Sequence, residues 1–252
     1  MSVMTSSALS GQVVLVTGAA KRIGEALVRG FHDEGAKVAI HYHRSAENAE
    51  AVRDQLNLIR PNSAIAIGAD LVCVEILPRI IDEVIQAFGR LDVLINNAST
   101  FYPTPLGTIS AAQWDDLIGT NLKAPLFLAQ AAAPHLRKSH GLILNLIDIH
   151  GQRPLPEHTV YSTAKAALAM LTRSLARELG PEVRVNGIAP GPILWPENGI
   201  DEQVKQEIIS KTLLKRSGEP EDILRTALFF AKDAPYVTGQ VLAVDGGRSV
   251  GW

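Results

Sequence analysis

The sequence predicts a doubly wound α/β fold, a single open sheet of seven parallel strands with helices on both faces. Three observations predict it. Short runs rich in Val, Ile and Leu alternate with helical stripes of apolar residues along the whole chain. Those runs are nearly continuously apolar, as strands covered on both faces require. The residues capable of chemistry recur at the carboxyl ends of the runs or just after them, where open α/β sheets bind ligands.

The elements follow in order. Residues 12–18 (QVVLVTG) form the first strand, and Ile23, Leu27 and Phe31 repeat at helical spacing until Gly35 stops the helix. Residues 37–43 (KVAIHYH) are the second strand. Ser45 then caps a helix with the stripe Ala49, Val52, Leu56 and Ile59. Residues 63–70 (SAIAIGAD) are the third strand, followed by Ile76, Ile80, Val84 and Phe88 on a helix stopped at Gly89. Residues 91–99 (LDVLINNAS) are the fourth, leading into a Pro-interrupted loop, FYPTPLG.

Ser110 and Gln113 have capping-box spacing at the head of a long helix, with the stripe Trp114, Ile118, Pro125 and Leu128. Asn121 falls on that stripe and is expected to point inward. The apolar run Leu142, Ile143, Leu144, Leu146 and Ile147 reads as a buried fifth strand ending in a carboxylate, Asp148. After a Pro-containing loop a helix opens with Tyr161 and carries Lys165 one turn later, so the two share a face. A sixth strand at 183–189 precedes the irregular stretch GPILWPENGI. Glu219-Pro220 opens the last helix, and 241–247 (VLAVDGG) is the seventh strand.

Composition narrows the function classes. The chain has 252 residues, 46% of them hydrophobic, and a formal net charge of -2 without a basic run. That gives no electrostatic reason to expect nucleic acid or a membrane surface as partner. The single cysteine, Cys73, sits between two valines and is expected in or near the core; one cysteine excludes an internal disulfide framework. The first ten residues lack the basic and apolar regions of a secretion signal and are expected to be a flexible tail before a single domain spanning 11–252. No apolar run reaches the roughly 18 residues of a membrane span, so a cytoplasmic location is expected. The histidines show no convincing metal-ligand spacing, and no metal is expected.

The turn after the first strand, Thr17-Gly18-Ala19-Ala20-Lys21-Arg22-Ile23-Gly24, supplies glycine for a tight turn and a second glycine for close helix packing. The free N–H groups of the following helix would hold a diphosphate. The middle glycine of the usual dinucleotide fingerprint is Arg22 here. Its guanidinium either meets a phosphate or an anionic substrate group, or is simply solvated. At the second strand's tip, His41-Tyr42-His43-Arg44-Ser45, no acid occurs until Glu47. NAD sites present a carboxylate there, whereas Arg44 and Ser45 suit the 2′-phosphate of NADPH. Asp70 either accepts from an adenine amino group or starts a loop.

Tyr161 with Lys165 is a weak signal alone. With the glycine turn, Asn96-Asn97-Ala98-Ser99, Asn121 and Pro190-Gly191, the chain resembles the short-chain dehydrogenase/reductase family over nearly its whole length. The resemblance implies a Rossmann-type fold, a Tyr161 that donates a proton, a Lys165 that binds the nicotinamide ribose, and an Asn121 that holds a water linking Lys165 to solvent. A cation beside the phenol is expected to lower its pKa from roughly 10. Thirteen residues before the tyrosine that family normally has serine, which stabilises an alkoxide; here it is Asp148. A carboxylate repels an alkoxide and favours a protonated or proton-accepting nitrogen.

Arg22, the HYHRS tip, NNAS followed by FYPTPL, and Asp148 together resemble the pteridine reductases. That resemblance implies reduction of pterin C=N bonds, in dihydrobiopterin, dihydromonapterin or dihydrofolate, by hydride from NADPH. Asp148, Tyr161, Lys165 and Asn121 would be catalytic, and substrate would meet Arg22, Ser99, Phe101, Asp148 and Tyr161, its flat ring stacked on Phe101. Cofactor contacts would come from Gly18, Arg22, Ile23, His41, Tyr42, His43, Arg44, Ser45, Asp70, Leu71, Asn97, Ala98, Ser99, Tyr161, Lys165, Pro190 and Gly191. A homotetramer is implied as well. The alternatives are a carbonyl or 3-oxoacyl reductase that tolerates Asp148, and a non-catalytic NADPH-binding sensor. His150, His158 and Trp195 lie near the expected site without an assigned role.

Overall fold

The computed structural model describes residues 8–195, 199 and 201–251. Among them seven strands make one sheet: β1 (Val13–Val16), β2 (Lys37–Tyr42), β3 (Ala64–Gly68), β4 (Val93–Asn96), β5 (Leu142–Leu146), β6 (Arg184–Pro190) and β7 (Val241–Val244). All pairings are parallel, in the order β3-β2-β1-β4-β5-β6-β7. The helices are α1 (Arg22–Asp33), α2 (Ala46–Ile59), α3 (Leu77–Phe88), α4 (Ala111–Ile118), α5 (Ala124–Ser139), α6 (Thr159–Leu179), α7 (Glu202–Ser210) and α8 (Pro220–Lys232). The doubly wound parallel sheet expected from the sequence is therefore the observed one. Its order reverses between β1 and β4, which opens a crevice above their carboxyl ends.

Successive strand residues face opposite sides. Val14 and Val16 pack with Leu27, Phe31 and Phe230 under α1 and α8. Val13 and Leu15 pack on the other face with Ile80, Leu128, Leu136 and Leu175. The two layers clamp the sheet and hold its strand ends level.

Local signals explain several helix ends. Ser110 accepts from the Gln113 N–H while the Gln113 side chain accepts from the Ser110 N–H, the expected capping box. Gly89 ends α3 at φ +78°, and Pro220 opens α8. Several expectations need correction. The long helix is two, α4 and α5, joined by a π-helical turn at Gly119–Lys123. The extra residue of that turn shifts the inward face, so Leu117 is buried in α4 while Trp114 is 48% exposed. Asn121 lies in the turn and points inward, at 1% exposure.

Ile59, the last residue of α2, is uncovered at 69% exposure. Ser45 precedes α2 without a side-chain capping bond. Cys73 is exposed, because β3 ends at Gly68 and the residue falls in the loop beyond. The tail expected at 1–10 is too long: Leu9 is buried and its N–H donates to the Glu34 carbonyl at 3.0 Å. Residues 1–7 lie outside the described residues. Helix α7 escaped the sequence reading because it buries no residue and so shows no apolar stripe. Among the described residues no helix is long and apolar enough to cross a membrane.

Helices α1 and α8 touch where Gly30 meets Leu224, and a Cβ on Gly30 would overlap the Leu224 side chain. Gly30→Ala should therefore destabilise the protein by about 1–3 kcal/mol through overpacking. Adding Leu224→Ala should cost less in the Gly30→Ala background than in wild type. Additive losses in urea unfolding would show that the two helices do not meet there.

Candidate active site

The turn after β1 is pinned by the residues just past β4. Thr17 Oγ1 accepts from the N–H groups of Asn97 (2.9 Å) and Ala98 (3.0 Å), and Asn97 Nδ2 donates to the carbonyls of Thr17 (2.8 Å) and Gly18 (3.0 Å). Gly18 sits at φ +61° with its α-carbon against Ala98, where a Cβ would come within 2.9 Å of the Ala98 backbone. A Cβ on Gly24 would overlap the Gly18 carbonyl. Arg22 itself is left-handed, at φ +59°. That conformation suits glycine, which accounts for the glycine usually found in this part of the fingerprint. Its guanidinium donates to the Trp195 and Leu194 carbonyls at 3.1 and 3.5 Å, spanning from the turn to the loop after β6.

A cleft of about 760 Å³ runs over these strand ends. It is lined by Gly18, Arg22, Ile23, His41, His43, Arg44, Asp70, Leu71, Asn97, Ala98 and Ser99 from the expected set. Lys21, Val72 and Thr120 line it too and were not singled out from the sequence. Lys21 was legible as a second cation in the turn; Val72 and Thr120 carry no signal beyond their distance from strand ends. Tyr42 and Ser45 are not among the lining residues. The Tyr42 ring turns back onto Gly68 and the core. His43 Nε2 stands 3.7 Å from Asp70 Oδ2. Asp70 also accepts from the Val72 N–H at 3.1 Å, the loop-starting role left open by the sequence.

A second cavity of about 210 Å³ shares Arg22, Ile23, Asn97 and Ser99 with the first. Its other walls include Leu146, Asp148, Tyr161, Lys165, Pro190, Gly191 and Leu194. Asp148 follows β5, with one carboxylate oxygen capping the short turn Ile149–Gly151 through the His150 N–H at 2.8 Å. The other oxygen accepts from the Tyr161 hydroxyl at 2.8 Å. One turn along α6, the buried Lys165 ammonium donates to the Leu146 carbonyl at 3.0 Å and lies 5.6 Å from the centre of the Tyr161 ring. The structure thus brings together the three residues that sequence spacing paired.

Asn121 is held by its π-helical turn. Its amide donates to the Thr100 and Leu117 carbonyls, both at 2.9 Å, and its oxygen accepts from the Ser99 hydroxyl at 2.6 Å. Asn121 lines neither cavity. Phe101 is half exposed, its ring 4.8 Å from Tyr161 edge-on and stacked on His158 at 4.6 Å. The stack was not anticipated, since nothing in the sequence pairs residues 57 positions apart; here the link is a bridge between Thr104 and His158. Of the segment 191–200, residues 196–198 and 200 lie outside the described residues. Among the described residues no three His, Cys, Asp or Glu side chains gather as a metal site.

The electrostatics reverse one expectation. Lys165 was expected to lower the phenol pKa of Tyr161. Instead burial pushes it well above the usual value, and the negative charge and hydrogen bond of Asp148 add to the rise, with Ser99 opposing. The phenol therefore stays protonated through the neutral range. Burial brings Lys165 down to about 8, opposed by the charge of Asp148. Asp148→Asn removes the carboxylate charge, so Tyr161 should ionise at lower pH than in wild type. Ultraviolet difference titration, with Tyr161→Phe subtracted, would read this; an unchanged or higher ionisation pH would mean that Asp148 does not hold the proton on the phenol.

The chain has relatives among known proteins over nearly its whole length. A family model described as enoyl-(acyl carrier protein) reductase matches residues 18–249. The chain is 36% identical to pteridine reductase 1 of Leishmania tarentolae, over 98% of this chain and 99% of that protein. It is 37% identical to the 3-oxoacyl-(acyl-carrier-protein) reductase FabG of Staphylococcus aureus, over 97% and 98%. With glucose 1-dehydrogenase 2 of Bacillus subtilis it shares 32% identity over 96% of each chain. Full-length similarity at this level, on a seven-stranded parallel sheet, identifies the chain as an oxidoreductase belonging to the short-chain dehydrogenase/reductase family.

Proposed function

We propose that this protein is an NADPH-dependent pteridine reductase, reducing a dihydropterin or dihydrofolate to the tetrahydro form. The observation that carries the proposal is the Tyr161 hydroxyl bonded to the carboxylate of Asp148 at 2.8 Å. The 36% identity to a pteridine reductase supports it. A 3-oxoacyl reductase is the second reading, favoured by the similar identity to the FabG relative.

The larger cleft fits a dinucleotide. Gly18 and Gly24 leave room that a Cβ would fill, and Lys21, Arg22 and Arg44 bring cations to a polyanion. Arg44, with His43 beside it, would hold the 2′-phosphate, and Lys165 the nicotinamide ribose. NADPH supplies a hydride. For each hydride received by carbon, the adjacent ring nitrogen takes one proton, and the protonated Tyr161 is the donor facing the smaller cavity. The phenolate left behind sits against Asp148, and the Lys165 ammonium offsets that charge. A cationic nitrogen gains from the same carboxylate, whereas an alkoxide would be repelled. Phe101 offers its face free of His158 to a flat ring. The domain is taken as a single unit that includes Leu9, cytoplasmic and homotetrameric, with apolar side chains at Trp114, Leu126 and Leu242 more than a third exposed for contacts between copies.

NADPH oxidation should be supported by dihydrobiopterin and not by a β-keto ester; turnover of the keto ester alone would point to the 3-oxoacyl reading, and turnover of neither to a sensor. Tyr161→Phe should lower kcat by about 10²–10⁴-fold while NADPH binding persists; near-wild-type rates would require another proton donor. Arg44→Ala should narrow the preference for NADPH over NADH, read as the ratio of kcat/KM values, and an unchanged ratio would place the 2′-phosphate elsewhere. Lys165 is charged below its pKa, so kcat/KM should fall as pH rises through about 8. A profile flat to pH 10 would remove Lys165 from the reaction.

A further inference from the structure

We infer that His41 is a positioning residue of the phosphate turn, holding the amide side that Thr17 and Asn97 leave untied: its imidazole acts through the Gly18 amide, not by touching the cofactor. The inference rests on the reading of this turn as an NADPH site. His41 lies in β2, and its side chain is 1% exposed. Nδ1 accepts from the Gly18 N–H at 3.1 Å, while the His41 backbone carbonyl accepts from the Ala19 N–H at 2.8 Å. Nε2 lies 3.1 Å from the Ala69 carbonyl, just past β3.

A carbonyl only accepts, and a backbone N–H only donates. Nε2 must therefore carry the ring proton and Nδ1 must be bare, so the two partners fix a single neutral tautomer. Burial brings the pKa of His41 down to about 4, with His43 and Asp70 the titratable groups near it. The ring thus remains an acceptor in the neutral range.

This geometry does something that glycine at position 18 cannot do alone. Glycine permits the left-handed turn, but permission also means freedom. The imidazole and the carbonyl of one residue tie down two consecutive amides of the turn, and Nε2 anchors that residue to the third strand. Both ring nitrogens are already bonded within the protein, so neither is left for a ligand. The first-turn amides of α1, which have no partner within their helix, are then presented in a fixed direction.

Three substitutions separate the parts of the ring. His41→Asn keeps an acceptor near Nδ1. His41→Gln reaches toward Ala69 but withdraws that acceptor, and His41→Leu removes both. NADPH dissociation constants come from fluorescence titration. Gly18 amide exchange, followed by NMR in the protein without cofactor, gives an independent readout. Expected is an affinity for His41→Asn near that of wild type, with His41→Gln and His41→Leu weaker by about tenfold, the scale of one hydrogen bond. Gly18 exchange should be faster in the latter two. Wild-type affinity in His41→Gln, or equal losses in His41→Asn and His41→Gln, would overturn the inference while leaving the NADPH site standing. Should His41→Leu fail to fold, the Asn–Gln comparison decides. A wild-type protein that binds no NADPH would overturn both.

Discussion

The hydrogen bond from the Tyr161 hydroxyl to Asp148, 2.8 Å long with Tyr161 only 4% exposed, is the contact around which the site is built. Tyr161 is buried and Asp148 half-buried, so water screens the pair less than it would at the surface. The bond requires the end of β5 and the first turn of α6 to meet, although thirteen residues and a Pro-containing loop separate them. The sheet meets that requirement. Asp148 continues a strand clamped between β4 and β6, and α6 packs along the same layer through Leu168, Leu175 and Leu179.

Around that bond lie two adjoining cavities, and the proposed roles divide between them. Lys21, Arg22 and Arg44 line the larger cleft, while Asp148, Tyr161 and Lys165 line the smaller one. Arg22 and Ser99 belong to both. The left-handed backbone at Arg22 is the strained point of the arrangement, since L residues avoid φ near +60°. What the chain gains there is a guanidinium that lines the smaller cavity from within the turn after β1 and is bonded to the loop after β6.

Much of the fold was legible because a parallel sheet buried on both faces leaves apolar runs of the right length. The strand ends, and with them Asp148, Asn97 and the glycine turn, followed from those runs. Tyr161 and Lys165 were legible because helical spacing alone puts them on one face. What was not legible depends on geometry without sequence period. The π-helical turn at Gly119–Lys123 moved the stripe that carried Trp114, and α7 had no stripe at all. The sign of the Tyr161 shift was missed for a different reason. The sequence identified the cation beside the phenol, but burial and the direct bond to the carboxylate outweigh it.

The proposed distinction between ring-nitrogen and carbonyl chemistry rests on one side chain, and Asp148→Ser isolates it. The serine restores a hydroxyl where the family's carbonyl reductases have one and removes the charge that repels an alkoxide. The decisive measurement is the ratio of kcat/KM for dihydrobiopterin to that for a β-keto ester, in wild type and in Asp148→Ser. The ratio should fall by about tenfold or more in the variant, equivalent to the 1.4 kcal/mol or so expected of a charge-assisted hydrogen bond. An unchanged ratio, with the variant folded and binding NADPH, would contradict the role given to Asp148.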